Sequence, residues 1–126
     1  MKKLTKAEEE IMLILWRLGE ALVRDIISQL EDPQTPYTTV STVIRVLEKK
    51  NFVSHKSYGS TYLYFPLVSK REYSNAQLKD FVGSYFNGSF SGMATFFAKE
   101  NDISMEELEK MLTELQKEMN KKLKNE

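Results

Sequence analysis

The chain has 126 residues, 41% of them apolar and 29% charged. That is the composition of a folded protein, long enough for one ordinary domain or a small domain with a helical appendage. There is no cysteine and a single histidine, His55, which excludes a disulfide framework, a thiol nucleophile, a cysteine zinc site and a histidine metal cluster. No metal or other cofactor is expected, and the setting expected is reducing and cytoplasmic. The apolar run at residues 11–16 is far shorter than the roughly 18 residues of a membrane helix. Glu8, Glu9 and Glu10 interrupt the apolar stretch that a secretory leader would need after Met1-Lys2-Lys3.

Net charge is zero, but it is unevenly placed. Residues 33–71 hold six basic side chains against one acid, Glu48, whereas the segments before and after them carry net charges of −2 and −3. A basic island between acidic flanks marks the surface where a polyanion could sit.

In chain order, Thr5-Lys6-Ala7-Glu8 is a capping box, in which hydroxyl and carboxylate each satisfy a free backbone N–H. Ala7, Ile11, Ile14, Leu15 and Leu18 follow at helical spacing until Gly19. A shorter helix carries Val23, Ile26, Ile27 and Leu30 on one face, and Pro33 and Pro36 end it in a loop. A third helix is predicted over about residues 38–50, with Val40, Val43, Ile44 and Leu47 inward and Asn51 as its left-handed stop. Two aromatic, β-branched runs, 53–58 and 61–65, flank Gly59-Ser60 and predict a hairpin with a type II′ turn. Residues 21–23 are a candidate third strand. Beyond Pro66, further capping boxes at Ser69 and Ser104 open helices, a break at Asn87-Gly88 separates the first of these from a short helix near 91–100, and the last helix follows. The expected fold is mainly α with a small β-hairpin wing: a winged helix-turn-helix domain at 1–68 and a helical dimerisation domain at 69–126.

In such a fold the third helix enters the DNA major groove and the hairpin lies along the backbone. Thr38, Thr42, Arg45 and Lys49 line the outer face of that helix, flanked by Thr39 and Ser41, and none is acidic. Short hydroxyls allow close approach to phosphates, and Arg45 can bond bidentately to guanine. Lys49 and Lys50, at the helix end, suit phosphate contact. A merely solvated face would more often use Glu, Lys, Gln or Ala than three threonines and a serine. Lys56, Tyr58, Ser60 and Thr61 form the wing tip, as candidate backbone or minor-groove contacts. His55 reads as a surface strand residue, and Asn87-Gly88-Ser89 as a chance glycosylation match.

The last helix aligns Met105, Leu108, Met111, Leu112, Leu115, Met119 and Leu123. With Phe81, Phe86, Phe96 and Phe97 this is more apolar surface than so small a unit can bury. Packing across a two-fold interface is expected, and a dimer also suits a palindromic operator.

The runs Leu4-Thr5-Lys6-Ala7-Glu8, Ile14-Leu15-Trp16 and Tyr37 through Lys50, the wing from Tyr62 to Ser69 and the later Phe86-Asn87-Gly88-Ser89-Phe90 resemble the penicillinase-repressor family, over about residues 4–120. That family includes the β-lactamase, methicillin-resistance and copper-transport repressors. The resemblance implies a homodimeric bacterial repressor induced by proteolysis. In the antibiotic-resistance members a membrane sensor-protease system signals, and the repressor is cut between an Asn and a Phe. The matching bond here is Thr95-Phe96, with Thr in place of Asn. The copper-responsive members carry a cysteine-rich metal site, which this chain cannot form. Asn51 stands where the family's Lys-Gly pair has its Gly, so no operator sequence is carried over.

Two other classes make different demands on the sequence. A winged-helix protein-interaction module would present an acidic or apolar outer face on the third helix, and an enzyme would need convergent acid, base or nucleophile. Neither pattern is present in the sequence. Within the repressor class, relief by a small ligand bound between the domains is the alternative to cleavage.

Overall fold

The structure is a computed structural model describing residues 1–124. Helix α1 (Lys6–Leu18) begins with the predicted box. The Glu8 amide donates to Thr5 Oγ1 at 3.2 Å and the Thr5 amide to the Glu8 carboxylate at 2.8 Å. Gly19 closes it at φ 84°, a backbone state costly for any residue with a Cβ. Helix α2 (Val23–Gln29) is short, and the Asp25 carboxylate accepts the Leu22 amide at its start. Helix α3 (Tyr37–Lys49) follows the proline loop, one residue earlier than predicted at each end. Asn51 at φ 63° then turns the chain into the hairpin.

Strands β1 (Val53–Tyr58) and β2 (Thr61–Pro66) pair antiparallel, Val53 opposite Pro66 and Tyr58 opposite Thr61. A positive φ of 62° at Gly59, not continued at Ser60, is the expected II′ pattern. The third strand reduces to a single bridge: Ala21 and Tyr64 exchange two backbone hydrogen bonds of 2.9 Å. Three helices and a hairpin make this a winged helix.

Its core lies among α1, α2, α3 and the base of the hairpin. Met12, Leu15, Ile26, Ile44 and Leu47 are essentially inaccessible, and each such burial stabilises by roughly 1.5–3 kcal/mol. Phe52, Val53, Tyr64 and Tyr73 complete it.

Helix α4 (Lys70–Phe86) opens with the Ser69–Glu72 box. The chain divides into two compact units between Lys79 and Asp80, inside α4. The first turns of α4 belong to the winged unit for a physical reason. Tyr73 stacks near Trp16 and Phe52, its hydroxyl accepts the buried Leu4 amide at 2.9 Å, and Trp16 Nε1 donates to the Val68 carbonyl.

In the second unit, Asn87 at φ 51° and Gly88 at φ 78° break the chain, and Ser89 caps α5 (Phe90–Glu100) by accepting the Gly92 amide. Helix α6 (Met105–Lys124) starts with the Glu107 amide donating to Ser104 Oγ. Among the described residues of this unit only Val82 is buried. Phe81 packs beside Tyr85 and Phe86, and Phe86 beside Phe96, yet Tyr85, Phe90, Phe96 and Phe97 stay more than half exposed. The whole stripe on α6 is open as well, except the half-buried Leu108.

Candidate nucleic-acid interface

The amphipathic pattern of α3 sorts its residues cleanly. Val40, Ile44 and Leu47 point into the core, while Thr38, Thr39, Thr42, Arg45 and Lys49 are exposed. Pro36, the N-cap, offers no side-chain acceptor, and the first turn has no acid, so the positive end of the helix dipole is left open. The Thr42 hydroxyl donates to the Thr38 carbonyl at 2.8 Å, which leaves its lone pairs facing outward as acceptors. Among the described residues Arg45 and Lys49 make no ion pair.

Two candidates from the sequence lie elsewhere. Ser41 is buried at 8% exposure. It stands at the edge of the apolar face, one turn before Ile44, where the backbone of α3 meets the core. Lys50 is engaged: its ammonium sits 2.8 and 3.0 Å from the two oxygens of Glu8, which is itself 3% exposed. Burial pushes the Glu8 carboxyl up, but the Lys50 and Thr5 hydrogen bonds and the Lys50 charge outweigh it and hold the group below its ordinary value. Glu8 therefore caps α1 and pins the end of α3 with the same carboxylate. The capping role was legible; the partner 42 residues away was not.

On the wing, Tyr58 and Ser60 are exposed and Thr61 is half-buried. Lys56 meets Glu20 at 3.1 Å in an exposed pair, and such pairs are worth little and exchange readily. The hairpin and α3 share one electrostatic neighbourhood. Burial raises the Tyr64 hydroxyl above its ordinary value, the charge of Glu48 adds to this, and Arg45 acts against it.

Two residues that sequence reasoning passed over stand beside this face. Arg24, Tyr37 and Thr61 line a cleft of about 260 Å³ with Leu22 and Val23. Tyr37 is 53% exposed, and Arg24 makes no ion pair among the described residues. The available signal is an arginine in the helix preceding α3, without an ion pair among the described residues.

The model of the penicillinase repressor family matches residues 4–117. The chain belongs to this family. The penicillinase repressor of Bacillus licheniformis is 25% identical over 126 residues, covering 97% of this chain and 98% of that one. The methicillin resistance regulatory protein MecI of Staphylococcus aureus strain N315 is 30% identical over 117 residues, with 91% and 94% covered. The solution structure of the DNA binding domain of the repressor BlaI covers 58% of this chain and 94% of its own, at 27% identity and a TM-score of 0.49. Membership in the penicillinase repressor family makes the chain a transcriptional repressor of winged-helix build.

Proposed function

We propose that this repressor is a homodimer that binds double-stranded operator DNA sequence-specifically, with α3 in the major groove and the hairpin along the backbone. The observation that carries the reading is the outer face of α3: hydroxyls at Thr38, Thr39 and Thr42, then Arg45 and Lys49, which have no ion-pair partner among the described residues, all exposed beside the wing. Arg45 reads base edges. Lys49, Thr38, Thr39, Tyr58, Ser60, Thr61 and Lys56 meet sugar and phosphate, Lys56 by leaving Glu20. Arg24 and Tyr37 extend the phosphate track across their cleft. Lys50 and Ser41 serve the frame of the winged unit.

Of the segment expected to dimerise, residues 69–126, the part beyond Lys79 acts as the dimerisation domain, the first turns of α4 serving the winged unit. Supporting this, Met105, Met111, Leu112, Leu115 and Met119 are each about half exposed or more, a larger apolar face than a monomer ordinarily leaves in water. Induction proceeds by cutting Thr95-Phe96 in α5, downstream of a membrane sensor-protease system. Both residues are exposed, but a helical bond must unwind before a protease can hold it.

The test is to select duplexes from a random library with the purified protein and measure binding of variants to selected and scrambled DNA at several salt concentrations. Arg45→Ala is expected to cost roughly 1–3 kcal/mol per half-site and relax preference at one or two base positions. Lys49→Ala should weaken all sequences alike and lower the salt slope by about one per half-site. Equal losses on both DNAs for Arg45→Ala would make it a phosphate contact, and no effect from either variant would remove α3 from the groove.

A further inference from the structure

The hydrogen bond between His55 and Glu48 joins the wing to the recognition helix. His55 Nδ1 lies 2.8 and 2.9 Å from the two Glu48 oxygens, with the side chains 34% and 31% exposed. The imidazole rests on Tyr62, ring centroids 4.2 Å apart, and near Tyr64 at 5.6 Å. Tyr64 is anchored by its two backbone bonds to Ala21, so the ring is held from α3 on one side and from β2 on the other. Glu48 is the only acid in residues 33–71, and it sits one residue before Lys49 on the helix proposed to meet DNA.

Two elements pack against β1. From α3 the charged groups are Arg45, Glu48 and Lys49, of which Glu48 touches the imidazole. From β2 the titratable groups are Tyr62 and Tyr64. Of the side-chain types in this cluster, only imidazole ordinarily changes its charge near neutrality.

We infer that His55 is a positioning residue whose proton strengthens DNA binding, by cancelling the Glu48 charge and locking the wing against α3. Either protonation state can donate Nδ1–H to the carboxylate, but only the imidazolium neutralises it. With His55 neutral, a full negative charge faces the phosphates from the recognition helix. DNA therefore favours the protonated form, and by linkage protonation favours the DNA-bound form. The sign follows: a group that holds its proton more tightly in the complex contributes affinity that is complete at low pH. That affinity is lost as pH rises through the value in the complex. The inference rests on the DNA-binding reading above.

The chain has a single histidine, so its imidazole resonance is unambiguous and its replacement removes every side chain that ordinarily titrates near neutrality. The experiment measures binding of the full chain to a duplex selected from a random library, at fixed ionic strength, from about pH 6 to about pH 8.5. Calorimetry in two buffers of different ionisation enthalpy reads the protons taken up. For the wild-type chain, affinity is expected to rise about 5- to 10-fold per half-site on acidification, with up to about one proton bound per half-site. His55→Gln should bind with a flat pH profile and no proton uptake. Glu48→Gln should bind more tightly than wild type at the alkaline end, an outcome that mere loss of a structural contact cannot produce. A flat wild-type profile without proton uptake overturns the inference, as does a pH dependence that survives in His55→Gln, or a Glu48→Gln variant weakened at alkaline pH. If the wild-type chain shows no preference for selected over scrambled duplex at any pH, the DNA-binding reading fails and takes this inference with it. A pH-independent but selective wild-type chain overturns this inference alone.

Discussion

The Glu8–Lys50 pair offers a test of the winged unit in which three variants must fall in a fixed order. Glu8→Gln keeps the shape and an acceptor for the Thr5 amide, but it turns two charge-assisted bonds to Lys50 into at most one neutral acceptor. Charged hydrogen bonds contribute about 1.5–3 kcal/mol net. The Lys50 side chain is 29% exposed and recovers water, so the lower part of that range, about 1.5–2 kcal/mol, is expected. Lys50→Met is worse, because it strands a carboxylate whose side chain is only 4% exposed. Breaking a buried pair from that side costs about 3 kcal/mol or more. The double variant should be milder than the sum by about 1–2 kcal/mol, since neither partner is then left unmatched. Urea unfolding followed by Trp16 fluorescence is the assay, Trp16 being the chain's single tryptophan and part of the same unit. Each kcal/mol should move the thermal midpoint by about 4–8 °C in a unit of this size. The sign with pH is fixed as well. The Glu8 carboxyl is held below its ordinary value of 4.5 in the folded chain. Its contribution is therefore complete above that value, is lost as pH falls through the folded value, and the gap between wild type and Glu8→Gln closes in acid. Additivity within about 0.5 kcal/mol, or Lys50→Met costing less than Glu8→Gln, would refute the pair as described.

Leu112→Asp or Leu115→Asp should split the proposed dimer into monomers in sedimentation over a concentration series, because a charge without a partner in an apolar interface costs several kcal/mol; a wild-type chain already monomeric at micromolar concentration would refute the dimer itself. If induction is proteolytic, mass spectrometry of the protein from induced cells should find a cut between Met93 and Lys99, and full-length chain under full induction would point instead to a ligand. Loss of α6 by that cut should lower operator affinity on the order of 10²-fold by removing the avidity of paired half-sites. Arg24→Ala should lower affinity for selected and scrambled duplex alike and reduce the salt slope by about one per half-site, and an unchanged slope would take the Arg24–Tyr37 cleft off the phosphate track.

What could be read from the chain beforehand divides by range of interaction. The boxes at Thr5 and Ser69 and the turn at Gly59 are decided within four residues, and the structure forms them at those positions. The inward face of α3 was legible because one period, 3.6 residues, accounts for Val40, Ile44 and Leu47 together. The same projection sets Ser41 at the flank of the outer stripe, on the border of the two faces, and the core covers it. The Lys50–Glu8 pair is illegible for a different reason: nothing local ties a lysine at the end of one helix to a glutamate at the start of another. Tyr73, likewise, belongs to a helix assigned whole to the tail, yet its hydroxyl and ring complete the winged unit. The second unit is the instructive case. Its helices were legible from capping and period, but its apolar residues find no interior among the described residues of their own unit, where Val82 alone is buried. Helices of this length are marginal in water unless an apolar face is covered. On the proposed reading a second chain covers it, so the order of α5 and α6 depends on assembly. A cut in α5 then removes α6 from the chain that carries the winged head, and with it the surface that holds the two heads together.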